Sequence, residues 1–195
     1  MKLIGVTGKI CAGKSTFCKE LQKRFAIPYF EVDRFVKELV ATERTTKEFL
    51  RQLLPTAFKS GTYEPAVARL ALAESPTKYQ TQNQYFIPLI RKGYQNWAAR
   101  MNQPVGLVEF AIIREQQLQE DFDRIIELTA EPKIRHQRAL ARGMSPKSLT
   151  AIEQQQSSNA PGHLTIDTTN GLQWERIEPD LNQLFNYDIQ PGLAL

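Results

Sequence analysis

Cysteine is almost missing from this chain: Cys11 and Cys18 are the only two among 195 residues. Seven positions apart, they are too few and too badly spaced for a disulfide framework or a zinc cluster, and such scarcity fits a reducing cytosol. Long apolar runs are missing too. Nothing approaches the roughly 20 consecutive apolar residues of a membrane span. The opening "MKLIGVTG" is a short apolar run broken by glycine, without the length and cleavage region of a secretory signal. Charge blocks of one sign are also absent. The 25 basic and 21 acidic residues leave a net charge of +4 and are interleaved along the chain. This excludes a charged tail and offers nucleic acid no basic stripe, whereas a mild positive excess suits a small anionic ligand. Internal repeats and low-complexity tracts are lacking, although 154–156 is locally polar. The expectation is a cytoplasmic protein without membrane or nucleic-acid partners.

What is present suffices for a packed core. Hydrophobic residues make up 42% of the chain and charged residues 24%, ordinary values for one globular domain of this length. "KLIGVT" at Lys2–Thr7 reads as a buried strand, and a helix follows over Lys14–Phe25 with Phe17, Leu21 and Phe25 on one face. "IPYFEV" reads as a second strand ending at Asp33, with a helix over about 34–40. Residues 43–103 read as helices cut by Pro55, Gly61 and Pro76, an excursion of some sixty residues. Strands return at 104–111 and 123–130, with a polar helix-like stretch over 114–121 between them. A helix over 132–142 stops at Gly143. The next starts with Ser145 as N-cap and Pro146 in the first helical position. A last strand at 163–167, an Asn170-Gly171 turn and an amphipathic helix over 173–185 complete the pattern. Strands alternating with helices predict a parallel α/β sheet covered on both faces, with ligands beyond the carboxyl ends of its strands.

At that edge stands "GKICAGKS", residues 8–15, which fits G-x-x-x-x-G-K-[ST] between a strand and a helix. Gly8 and Gly13 permit a tight loop whose N–H groups converge on an anion, and the following helix adds its positive end. Lys14 reaches the outer phosphates, and the Ser15 hydroxyl can ligate Mg²⁺. The ligand is a nucleoside triphosphate, expected to be ATP, held by Gly8, Cys11, Ala12, Gly13, Lys14, Ser15 and Thr16.

Three further features favour a small-metabolite kinase over a GTPase or motor. Asp33 ends the strand beside the loop. It either caps the next helix or acts on the reaction, as base for an attacking hydroxyl or as organiser of Mg²⁺-bound water. Arg138 and Arg142 lie four apart on one helix face before Gly143. They are either solvated surface charges or clamps on the transferring phosphate, carried by a mobile flap. The helical excursion carries Tyr63, Tyr79, Tyr85, Phe86, Tyr94 and Trp97, enough to cover an acceptor, although aromatics at such spacing often fill a core.

With these residues in place, the sequence resembles the dephospho-coenzyme A kinases over roughly residues 2–172. "IGVTGKICAGKST" is similar to the family's first strand and P-loop, which is richer in glycine and serine at Lys9, Cys11 and Ala12. "FEVDRFVKEL" resembles its second strand, with the aspartate at Asp33. "LVEFAIIRE" resembles its third, with Glu109 where some members carry aspartate and Glu115 on the motif's glutamate. "HQRALARGMSPKSLTAIEQQQ" is similar to its lid, placing Arg138, Arg142 and Gln156, and "TIDTTNG" to the closing strand and the turn near adenine. Three departures fall toward the acceptor: Ile87 before Pro88 in place of histidine, Pro65 and Ala66 in place of an arginine, and Ala111 in place of proline.

The resemblance implies a P-loop kinase core with a five-stranded parallel sheet, built from about 1–42, 104–131 and 161–195. It implies a helical acceptor-binding insert over 43–103 and a lid over 132–160. It implies transfer of the ATP γ-phosphate to the ribose 3′-hydroxyl of dephospho-CoA with Mg²⁺. Lys14, Asp33 and Arg138 would be catalytic. Arg142, Asn170 and Gly171 would join the P-loop on ATP, and Asp33, Tyr85, Pro88 and Glu109 would meet the acceptor. A nucleoside monophosphate kinase on the same scaffold and a non-catalytic nucleotide-sensing module remain alternative readings.

Overall fold

Lys2–Thr7 (β1) is buried along nearly its whole length, as a strand must be when helices cover both faces of its sheet. The computed structural model describes residues 1–156 and 162–185. The end of the lid stretch (157–160), residue 161 and the tail from 186 therefore lie outside the described residues. After β1 come α1 (Lys14–Phe25), β2 (Tyr29–Glu31), α2 (Val32–Thr42) and α3 (Arg44–Leu53). The chain then forms a small hairpin of β3 (Phe58–Lys59) and β4 (Thr62–Tyr63), followed by α4 (Pro65–Ala73) and α5 (Pro76–Ala99). β5 (Val105–Glu109), β6 (Arg124–Thr129), α6 (Pro132–Ala141), α7 (Pro146–Gln155), β7 (Leu164–Asp167) and α8 (Trp174–Phe185) complete the order.

The main sheet has five parallel strands in the order β2-β5-β1-β6-β7. β1 lies at its centre, with Ile4 level with Leu107 of β5 on one side and with Arg124 of β6 on the other. The period of two sends alternate β1 residues to opposite faces. Leu3 joins a core with Val108, Ile90 and Tyr94, shared with the helices of 43–103. Ile4 and Val6 join a second core with Phe17 and Leu21 of α1 and Leu181 of α8. The chain leaves β1 toward the β2–β5 side and leaves β5 toward β6 on the other side of β1, and this reversal opens a crevice beyond the carboxyl ends of the central strands.

Three local differences from the sequence pattern have physical causes. β2 stops at Glu31, because it is an edge strand held only by three pairings to β5. Helix α2 therefore starts at Val32 and puts Asp33 in its first turn, with Glu31 as N-cap residue. That removes the capping reading of Asp33. Residues 114–121 form turns and one 3-10 turn at Gln119–Asp121 instead of a helix. Their side chains are committed elsewhere: Arg114 pairs with Glu127, and Asp121 accepts from Arg91 and from the buried Tyr94 hydroxyl. Finally, Ser60 and Gly61 both have positive φ (48° and 82°), the two-residue turn that closes a tight hairpin. Pro88, by contrast, sits inside α5 without ending it.

Candidate active site

The strand β1 delivers the loop 8–13 directly onto the first turn of α1. Gly8 has φ +133°, and a Cβ there would lie 2.2 Å from the carbonyl oxygen of Leu128 in β6. Gly13 has φ +94° and packs on Thr168. These two positions explain the glycines: one is pressed on a neighbouring strand, and both need a conformation that side chains resist. Lys14 folds back over the loop, its Nζ donating to the carbonyls of Gly8 at 2.8 Å and Lys9 at 3.1 Å. Burial lowers its pKa, against the opposing pull of Glu109 and Asp33.

Ser15 and Glu109 meet at the foot of the loop. The Ser15 hydroxyl donates to Glu109 Oε1 at 2.5 Å. Glu109 Oε2 is buried and has no hydrogen-bond partner among the described residues. Burial raises the Glu109 pKa, while the Ser15 hydrogen bond and the Lys14 charge lower it. A buried carboxylate oxygen beside a hydroxyl, both next to a phosphate-binding loop, is a donor set for a hard divalent cation. Among the described residues no group of three or more His, Cys, Asp or Glu side chains could hold a metal, so phosphate and water would complete such a shell. This moves Glu109 from the acceptor side, where the sequence pattern put it, to the foot of the P-loop.

On the other side of the loop, Arg138 of α6 is braced. Its guanidinium donates to the carbonyl of Cys11 at 3.2 Å, to Thr168 Oγ1 at 2.9 Å and to the carbonyl of Thr168 at 2.5 Å. Thr168 Oγ1 in turn donates to the carbonyl of Ala12 at 2.9 Å. Arg142 is exposed, with its Nη1 4.0 Å from Cys11 Sγ. A hollow of about 450 Å³ lies between Gly13, Thr16, Arg142, Gly171 and Trp174, next to the loop and suited to the rest of a nucleotide. Asn170 is exposed and does not line it.

A cleft of about 780 Å³ runs from Asp33 into the helices of 43–103. Ile87, Pro65 and Ile90 form apolar wall, and Lys37, Lys47, Arg51 and Arg69 add cationic groups. Its far side includes Ile152 and Gln155 of α7. Gln82 also lines it, with an Oε1 that is buried and unpartnered among the described residues. Two expected acceptor residues are elsewhere. Tyr85 does not line the cleft: its ring stacks on Phe49 at 3.9 Å, and its hydroxyl is 3.2 Å from Thr46 Oγ1. Pro88 is exposed over a separate shallow groove with Gln84 and Glu115.

Sequence reasoning missed Thr168, the basic residues of the cleft and the bond between Gln156 and the loop. Only the basic residues left a local signal. Lys37 stands four residues after Asp33, and Arg51 four after Lys47, the spacing that puts side chains on one helix face.

A family model described as dephospho-CoA kinase matches residues 2–167. A dephospho-CoA kinase of Chlorobaculum tepidum is 33% identical over 153 residues, 73% of either chain. Another, from Rhodopseudomonas palustris, is 25% identical and covers 91% of this chain and 92% of its own. A crystal structure from Thermus thermophilus superposes with a TM-score of 0.76 at 20% identity, covering 95% of this chain and 96% of that one.

Proposed function

The chain belongs to the dephospho-CoA kinase family, and on that premise we propose how its residues move the γ-phosphate of ATP to the ribose 3′-hydroxyl of dephospho-CoA. The activity is that of an ATP-dependent kinase, at the last step of coenzyme A synthesis. The P-loop amides and the α1 N-terminus hold the phosphates. Lys14 keeps its bond to the carbonyl of Lys9 and exchanges that of Gly8 for the outer phosphate oxygens. The bound anion then adds to the counter-charge that Glu109 and Asp33 give this desolvated ammonium.

Ser15 and Glu109 would hold Mg²⁺, which supplies positive charge to the phosphate oxygens when bound. Arg142 is exposed and able to swing onto the γ-phosphate. Arg138 keeps Cys11, Thr168 and the loop in register, with its cation directed at the same region. Asp33 accepts the proton of the attacking hydroxyl. The cleft takes the remainder of the acceptor, and its basic residues suit a substrate that carries phosphate of its own. Binding of that remote part orients the one hydroxyl that reacts.

The observation that carries this reading is the position of Asp33, which lines the acceptor cleft while its charge acts on Lys14 of the P-loop. The test is ADP release measured with ATP and a panel of acceptors. Dephospho-CoA should stimulate turnover above AMP, CMP, UMP, dTMP or simple sugars. Asp33→Asn should reduce kcat by on the order of 10²-fold or more with little change in KM for ATP. A nucleoside monophosphate as best acceptor would overturn the choice of substrate, and nucleotide binding without stimulated turnover would favour a sensing role.

A further inference from the structure

The last turn of α7 reaches both halves of the site. Ile152 and Gln155 belong to the wall of the acceptor cleft. The next residue, Gln156, is buried, and its Oε1 accepts a hydrogen bond of 2.6 Å from the backbone N–H of Ile10 inside the P-loop. That N–H shares one rigid peptide plane with the carbonyl of Lys9. The Lys9 carbonyl accepts from Lys14 Nζ at 3.1 Å and from the N–H of Ala12 at 3.1 Å. Turning the plane at Ile10 therefore turns the carbonyl on which the Lys14 ammonium rests. On the N–H side of that plane, the hold comes from one side-chain oxygen, that of Gln156 at the C-cap of α7.

Helix α7 is also tied to its surroundings along its length. Ser145 caps its first turn. Lys147 pairs with Glu74 just after α4 at 2.9 Å. Glu153 accepts from the buried Arg135 of α6 and lies 3.4 Å from His136. Ile152, Gln155 and Gln156 stand within one turn and a half of each other, so a ligand that shifts the first two shifts the third. Nothing in the loop itself gives the Ile10 N–H an equivalent partner.

We propose that Gln156 is a positioning residue for Lys14, acting through the Lys9–Ile10 peptide, and that α7 thereby makes the P-loop respond to the acceptor. An acceptor seated in the cleft presses on Ile152 and Gln155, and the same helix end sets the peptide that holds Lys14. Lys14 is aligned on the outer phosphate when a hydroxyl is present to receive it. Acceptor and nucleotide therefore bind with positive linkage, and each tightens the other by the same factor. This rests on the assignment of Lys14 to the phosphates and of the cleft to dephospho-CoA.

The test uses the full chain and an ATP analogue with an imido bridge between the β- and γ-phosphates, titrated calorimetrically with and without saturating dephospho-CoA. The acceptor should tighten analogue binding to the wild type by about 5-fold or more. Gln156→Leu removes the oxygen at similar volume and should abolish that gain, lowering kcat by on the order of 10-fold to 10²-fold and weakening dephospho-CoA binding at saturating analogue by the same factor of about 5-fold or more, with its binding to the nucleotide-free protein unchanged. Gln156→Glu restores an oxygen and should recover most of both quantities, which a merely space-filling role does not predict. Should Gln156→Leu melt far below wild type, Gln156→Asn, whose oxygen is withdrawn by one methylene, replaces it with the same expected loss. Linkage and kcat retained in the variant, or no linkage in an active wild type, overturn the proposal. Failure of the family reading looks different: the wild type itself would show no dephospho-CoA-stimulated ADP release, and the inference would fall with it.

Discussion

Glu109 holds a carboxyl where water cannot serve both oxygens. Burial raises its folded-state pKa above the ordinary value of 4.5. The free-energy cost of ionising it is therefore absent below the unfolded-state pKa and grows as pH rises through the folded one. Glu109→Gln keeps an oxygen for the Ser15 hydroxyl but removes the charge. Without nucleotide or metal, this variant should melt a few degrees above wild type at mildly alkaline pH and lose the advantage below about pH 4. Its kcat should fall if, as proposed, this carboxylate holds Mg²⁺, because the side chain is no longer anionic. Thermal melts at the two pH values, beside steady-state kinetics, check both halves. The two arginines separate in the same way. Arg138→Ala should lose about 1–3 kcal/mol of stability with its bonds to Cys11 and Thr168, as well as activity. Arg142→Ala, exposed and bonded to little, should lose activity by roughly 10²-fold at an unchanged melting point.

Helix α2 carries Asp33, and its position is set by contact with α5. A Cβ at Gly93 of α5 would stand 2.5 Å from the ring of Phe35, and that ring is backed by Phe30 at 5.2 Å. Gly93→Ala should therefore cost about 1–3 kcal/mol and displace α2, lowering kcat while nucleotide affinity holds; denaturant unfolding and analogue titration measure the two effects. No sequence pattern announced this contact, because a glycine in a helix looks alike whether it meets solvent or a ring. The same limit runs through the site. The P-loop was legible because its chemistry is written in consecutive residues, β1 and β5 because burial on both faces leaves an apolar run, and α1 because Phe17, Leu21 and Phe25 recur at helical spacing. Glu109 was legible as a residue but not as the partner of Ser15, which is 94 positions away. Tyr85 shows the converse: aromatic content marked the insert, yet periodicity alone does not say whether a ring faces a cleft or stacks on Phe49. The start of α2 moved because the length of β2 is decided by what β5 offers it, not by its own residues.

For the molecule as a whole, ligand and fold share one set of contacts. Both Gly13 and Arg138 rest on Thr168 just after β7, so a nucleotide held by the loop braces the central strand β1 against the edge strand β7. At about 100 times its Kd it should add about 2.7 kcal/mol, a rise of roughly 5–10 °C in melting temperature, and Lys14→Ala should lose most of that rise. The central place of β1 also has a consequence in time. Its Lys2 is level with Val105, and Gly8 leans on Leu128. At synthesis rates of about 5–20 residues per second, the first strand waits on the order of 5–20 s for a neighbour. Through that interval Leu3, Ile4 and Val6 emerge from the ribosome with no sheet to join. Until Leu128 is made, the loop has no backing and hence no shape. ATP in the cell can therefore steady a finished chain but finds nothing to grip in a nascent or truncated one that ends before that residue.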